Sequence, residues 1–239
     1  MKILSIGNSF SDDAHRYLHE IAKKDGFDLE TLNLCIGGCP LELHYKNMCE
    51  DLQEYEYVSN GITTDIKISI KEAIEMGGWD VITLQQVSHL SPKYETYFPY
   101  LSEIVKYLRG VCPNAKIYMQ ETWPYENGCE RMQTLLGYHT SAEMFADIKD
   151  CYERAVKETA LDGIIRSGSA MMEAINRGMT IHRDTYHAKF GVGRYMIALL
   201  WYKTLTGRDI TGNNFNDFDE EVSLEERKAV IDIVNSIVK

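Results

Sequence analysis

The 239-residue chain predicts an α/β fold, a three-layer α/β/α sandwich around a roughly five-stranded parallel sheet. Short apolar runs alternate with longer segments of helical period, the pattern of successive βαβ units. The runs stop on small or polar residues, as parallel strands do where their carboxyl ends face a ligand crevice. A hydrophobic content of 44% against 26% charged residues provides a core of ample size.

In chain order, "KILSIG" (2–7) reads as the first strand. "DDAHRYLHEIAKKDG" (12–26) follows as a helix, with Ala14, Tyr17, Leu18 and Ile21 on one face and Gly26 as its stop. "FDLETLNLCI" alternates through Leu29, Leu32 and Leu34 as a second strand, and "VITLQ", introduced by Gly77-Gly78-Trp79-Asp80, is the third. A helix near 95–110, closed by Cys112-Pro113, leads to the fourth strand, "AKIYMQE". A long helix near 141–160 leads to the fifth, "DGIIRSG", and helices near 188–206 and 223–238 close the chain. In the last of these, Ser223 and Glu226 form a capping box. One segment breaks the alternation: in "YEYVSNGITTDIKI" two β-prone runs flank Asn60-Gly61, a pair suited to a type I′ turn. It reads as a β-hairpin at about 55–68, an excursion over the sheet edge outside the parallel strands. Only five prolines, none clustered, leave no linker, so residues 1–239 read as one domain.

A net charge of −11 argues against a nucleic-acid partner, since binding phosphates requires a basic stripe. No apolar run reaches about 18 residues, so no membrane span is expected. "MKILSIGNSF" turns polar at Gly7, short of a signal-peptide core. Six cysteines, at 35, 39, 49, 112, 129 and 151, show no framework spacing and read as reduced thiols of a cytoplasmic protein.

The predicted strand ends carry the chemistry. They supply Asn8-Ser9, Gly37-Gly38 in "CIGGCP", Gln85-Gln86 followed by Ser88 and His89, and Gln120-Glu121 with Trp123 in "QETWPY". Downstream, "IHRDTYH" adds Asp184 and His187. A serine, glycine backbone, amides and an Asp-x-x-His pair are the inventory of acyl transfer: nucleophile, oxyanion donors, and a base held by a carboxylate. Read as structure alone, Ser9 or Ser11 N-caps a helix starting at Asp12, with Ser11 the better cap. Asp184 likewise caps a helix beginning near Tyr186, and Gly37-Gly38 forms a turn.

"GNSFS" after the first strand, a glycine block after the second and a C-terminal D-x-x-H resemble the SGNH (GDSL-like) hydrolase superfamily. "ILSIGNSFSDDA" together with "WDVITLQQVSH" is similar to a bacterial subgroup of it without an assigned substrate. These blocks run in order from residue 3 to about 207. The resemblance implies a flavodoxin-like sheet and a serine esterase in which Ser9 is the nucleophile, His187 the general base and Asp184 its orienting carboxylate. It also implies an oxyanion hole from the backbone N–H groups of Ser9 and Gly38. The superfamily's third donor, an Asn in a Gly-x-Asn-Asp block, is replaced here by "LQQVSH". Gln85 matches the Gln that carbohydrate acetylesterase relatives carry there, while Gln86 faces the opposite side of the strand and is the alternative. Asn8, Gln86, Glu121, Trp123 and His182 are expected to contact substrate.

No cofactor is implied and no metal. His15 and His19 have the i, i+4 spacing of zinc ligands but no following Glu and no third ligand, and "GNSFSD" lacks the lysine of a P-loop. The tyrosines of "SPKYETYFPY" can stack on sugar rings or serve packing alone; fifteen tyrosines in the chain tip the reading to a sugar-derived ester, so the expected partner is a small acylated molecule such as an acetylated carbohydrate. An acyltransferase with the same three residues and a non-catalytic carbohydrate-binding relative are the alternatives. Oligomeric state is not legible.

Overall fold

The computed structural model describes residues 1–239. Its sheet has seven strands: β1 (Lys2–Gly7), β2 (Glu30–Cys35), β3 (Tyr55–Ser59), β4 (Ile62–Ile68), β5 (Val81–Leu84), β6 (Lys116–Gln120) and β7 (Gly163–Ile165), in the order β4-β3-β2-β1-β5-β6-β7. The five strands β2-β1-β5-β6-β7 are parallel and have the flavodoxin-like order. The 55–68 hairpin corrects one expectation. β3 pairs antiparallel with β2, so the hairpin extends the sheet in plane instead of passing over its edge. Its turn has φ of 51° at Asn60 and 76° at Gly61, both positive as a type I′ turn requires. Asn60 then fixes the register, because its Oδ1 accepts from the Thr31 N–H at 2.8 Å.

Ten α-helices cover the two faces. On one lie α1 (Ser9–His15), α2 (Leu18–Lys24), α8 (Ser167–Asn176), α9 (Val192–Thr206) and α10 (Leu224–Ile237). On the other lie α3 (Leu41–Glu50), α4 (Ile70–Glu75), α5 (Tyr100–Val111), α6 (Glu130–Leu136) and α7 (Ser141–Glu158). The two apolar clusters hold 30 and 28 buried residues and cover both faces of the parallel strands, whereas the edge strand β4 is mostly exposed. Helix α9 is buried on every side from Val192 to Tyr202. No helix is long and apolar enough to cross a membrane.

The single helix expected over 12–26 is two, broken at Arg16-Tyr17. The hairpin turn docks at that break: a Cβ on Gly61 would lie 2.6 Å from the Arg16 carbonyl and 2.7 Å from that of His15. Neither serine caps α1. Asn8 does, its side chain accepting from the Phe10 N–H at 3.1 Å, while Ser11 is buried with its hydroxyl 2.7 Å from both the Asn8 carbonyl and Asn33 Oδ1.

Two histidines are locked in the interior. The His15 Nε2 lies 2.6 Å from Ser5 Oγ, and His44 Nδ1 lies 2.9 Å from the Tyr55 hydroxyl. Burial depresses each to a pKa of about 3. His182 is depressed to about 4, chiefly by burial.

Two outcomes follow from this packing. Gly61→Ala places a methyl group against two carbonyls in a left-handed turn and should destabilise by about 1–3 kcal/mol, read as a drop of several degrees in thermal midpoint. The second concerns acid. Between the unfolded value near 6.5 and the folded values near 3 to 4, the unfolded chain binds protons that the folded chain does not. Stability should therefore rise with pH across that window and fall as pH drops below about 6.5. The slope should reach up to about 4 kcal/mol per pH unit for three histidines. Urea unfolding followed from pH 7 to pH 4 measures it, and a flat profile contradicts it.

Candidate active site

Strand β1 lies where the direction of strand progression reverses, and crevices in open α/β sheets form at that switch point. Gly7 ends β1 because nothing larger fits: a Cβ would fall 2.4 Å from Ser11 Oγ. Asn8 then starts α1 and leaves Ser9, half-buried, as its first residue. The helix N-terminus favours negative charge developing on or beside this hydroxyl.

The His187 Nε2 stands 2.8 Å from Ser9 Oγ, and its Nδ1 stands 2.7 Å from Asp184 Oδ2. A carboxylate can only accept, so Nδ1 carries the proton, and the Nε2 lone pair faces the Ser9 O–H. Asp184 caps no helix. Its Oδ1 accepts from the His187 N–H at 2.8 Å within a tight turn, closed by the Arg183 N–H on the His187 carbonyl, and the next helix begins only at Val192. Burial raises the Asp184 pKa, but the hydrogen bonds from the His187 ring and backbone outweigh it and leave the carboxyl below its ordinary value.

Buried charge holds this turn against α1. Asp13, fully buried one turn after Ser9, accepts from Arg183 Nη1 at 2.8 and 3.0 Å, from Arg194 Nε at 2.8 Å and from the Ala188 N–H at 3.1 Å. Arg183 also donates to the Ala188 carbonyl. The two residues that flank Asp184–His187 are thus tied to the helix that carries Ser9. A second brace is aromatic. Phe10 stacks on Trp123 with centroids 4.0 Å apart, and Trp123 Nε1 donates to the Tyr186 carbonyl at 2.7 Å.

A cleft of about 360 Å³ opens over Ser9 and His187, lined also by Asn8, Gly37, Gly38, Ser88, His89, Arg131 and Tyr186. Gly38 sits at φ +66°, and neither its backbone N–H nor that of Ser9 has a partner, so both are free to donate.

Several expected contacts lie elsewhere. The Gln85 Nε2 donates to Asn8 Oδ1, and the side chain is buried beneath β1 outside the cleft lining, so it steadies Asn8 and supplies no direct oxyanion donor. Gln86 is also buried: its Oε1 accepts from the Leu41 and Val87 N–H groups and its Nε2 donates to Thr96. Glu121 accepts from Ser169 N and Oγ and pairs with Arg166, with burial raising its pKa. Trp123 is the brace described above, and His182 donates Nε2–H to the Pro124 carbonyl at 3.0 Å. All five are internal supports, not cleft residues. The tyrosines of "SPKYETYFPY" line no part of the cleft: Tyr97 is buried, Tyr94 bonds Glu158 and Tyr100 bonds Glu42. Asn8 does reach the cleft, although its side chain bonds inward to Phe10, Cys39 and Gln85. No sequence motif singles out Asp13 or Arg131, and Tyr186 figures there only as the start of a helix.

The family model described as Domain of unknown function (DUF4886) matches residues 2–231. A crystal structure of a DUF4886 family protein from Bacteroides uniformis superposes with a TM-score of 0.92 at 32% identity, covering 99% of this chain and 94% of that one. A protein from Slackia heliotrinireducens named as a candidate SGNH hydrolase follows at TM-score 0.62 and 20% identity, covering 86% of this chain and 98% of its own. An acetyl xylan esterase gives 0.59 and 13%, covering 86% of this chain and 100% of its own. The chain thus has the α/β fold of SGNH hydrolases. No curated protein matches it in sequence.

Removing the buried anchor should be severe. Asp13→Ala takes from Arg183 its only carboxylate and from the almost fully buried Arg194 one of two, and should cost about 3–5 kcal/mol in urea unfolding. A loss below about 1 kcal/mol would contradict the clamp.

Proposed function

Starting from a chain that belongs to the DUF4886 family, we propose that it is a serine esterase that removes a small acyl group, acetyl on a carbohydrate-type alcohol being the favoured case. The observation that carries this reading is the continuous chain Ser9 Oγ–His187–Asp184, with contacts of 2.8 and 2.7 Å, opening into a cleft beside two free backbone N–H groups. Its fold neighbours supply the choice of acyl group, since an acetyl xylan esterase is among them.

His187 Nε2 takes the Ser9 proton as Oγ attacks the ester carbonyl. Asp184 keeps the imidazole in the tautomer that can do so and stabilises the imidazolium that forms. Negative charge then moves to the former carbonyl oxygen, where the Ser9 and Gly38 N–H groups donate, each such donor being worth about 3–4 kcal/mol. Imidazolium returns the proton to the leaving alkoxide, which departs as the alcohol. A water deprotonated by His187 attacks the acyl-serine by the same steps, giving the acid and restoring Ser9. Groups around the cleft support this order of events: Asn8 fixes the helix start, and the buried Trp123 and Asp13 fix the turn that bears the base.

Hydrolysis of p-nitrophenyl acetate tests the assignment. Ser9→Ala and His187→Ala should each lower kcat by at least about 10⁴-fold, and the double variant should be scarcely worse than either, because the residues act as a unit. Asp184→Asn should lose about 10³- to 10⁴-fold, with the imidazole still held but in the wrong tautomer. Thermal midpoints should stay within a few degrees of wild type. Full activity in Ser9→Ala removes the nucleophile; additive losses of stability with unchanged turnover mark the three residues as turn and helix caps.

A further inference from the structure

Arg131 stands apart from every other arginine in the chain. Of ten, nine hold a carboxylate or a backbone carbonyl. Arg131 has neither hydrogen-bond nor ion-pair partner within the protein, and it lies on the lining of the cleft over Ser9. Two rings steady it: its guanidinium sits 5.3 Å from the Tyr186 centroid and 5.9 Å from that of Tyr125. A planar guanidinium held by its face keeps its N–H edge free to meet a carboxylate in two parallel bonds.

The surroundings favour an anion. The chain carries −11 overall, yet no acidic side chain lines this cleft. His89, which also lines the cleft, leaves a buried Nδ1 without a partner. Burial first, then the nearby charges of Arg131 and Lys93, lowers its pKa.

Position decides which half of the ester the anion belongs to. The base must hand its proton to the leaving oxygen, so the alcohol lies on the His187 side. The Tyr186 ring packs 4.3 Å from the His187 ring, centroid to centroid, and Arg131 lies over that same tyrosine. We propose that Arg131 is a specificity-determining residue that binds a carboxylate on the alcohol portion of the substrate, so that this site acts on acyl esters of acidic alcohols such as uronic sugars or hydroxy acids. This rests on the esterase reading above for the turnover, but not for the binding of the anion.

Two measurements keep the claims separate. In the first, acetate release is compared for an O-acetylated methyl glucuronoside against the matching glucoside, and for 2-acetoxypropanoate against its amide, with wild type and Arg131→Gln. Wild type should favour the acid of at least one pair by about 10- to 100-fold in kcat/KM, the scale of one charge-assisted pair. Arg131→Gln should bring that ratio near one, mainly through KM, and Arg131→Lys should restore part of it. The pair that responds identifies the alcohol as sugar or hydroxy acid. In the second, methyl glucuronoside and lactate are titrated calorimetrically into Ser9→Ala with Arg131 intact or changed to Gln. Arg131-dependent binding of either without any turnover by wild type overturns the esterase reading and keeps the anion subsite. Turnover with acid-to-neutral ratios near one, or ratios that survive Arg131→Gln, overturns the subsite and keeps the esterase. Neither turnover nor Arg131-dependent binding overturns both.

Discussion

Helix α1 carries Ser9 and, one turn later, the buried carboxylate of Asp13, on which Arg183, Arg194 and the Ala188 N–H converge. The geometry of the whole site depends on that convergence. Ser9 and His187 are 178 residues apart in sequence, and a histidine on an irregular turn has no helix or sheet to fix it. Fixing such a turn by exposed contacts would be weak, because exposed ion pairs contribute little. A desolvated carboxylate with three charge-assisted or backbone donors has no equally good alternative partner, so the turn has one place to sit. Phe10, stacked on Trp123, adds an apolar brace from the residue next to Ser9.

The rest of the site follows from the end of β1. Parallel strands deliver their carboxyl ends to one edge, and the reversal of winding at β1 opens that edge into a crevice. Gly7 lets the chain pass over Ser11 and Gln85, Asn8 closes the first turn of α1, and the Ser9 and Gly38 N–H groups are left without a partner in the protein. Polar residues next to the site divide into those that face the cleft and those that hold its floor. Asn8 belongs to both groups, which explains why Gln85 beneath it is buried and bound to it.

Much of this was legible in the sequence, and the parts that were not have physical reasons. The strands and the 55–68 hairpin stand out because apolar periodicity and an Asn-Gly turn are local signals. The hairpin's place in the sheet is not local: it depends on β3 finding the free edge of β2. Helix α3 carries no local signal because its buried face includes His44 and Asn47, which leave no apolar stripe. At the site, Ser9 and Gly38 lie at positions that a strand-end inventory selects, and Asp184 and His187 stand out as a D-x-x-H pair. Gln85, Gln86, Glu121 and Trp123 satisfy the same rule yet point inward, since a strand end places a residue near the crevice without setting the direction of its side chain. Asp13 and Arg131 had no motif to mark them: one reads as an ordinary acidic residue of a first turn, the other as a surface charge on a short helix.

The central claim is that Ser9 is a nucleophile activated by His187. Labelling with a fluorophosphonate, which reacts only with an activated serine, followed by peptide mass spectrometry tests it most directly. The account predicts a single adduct on the peptide containing Ser9, lost in Ser9→Ala and strongly slowed in His187→Ala. An intact folded protein that takes no label, or one that is labelled on a different serine, would contradict it.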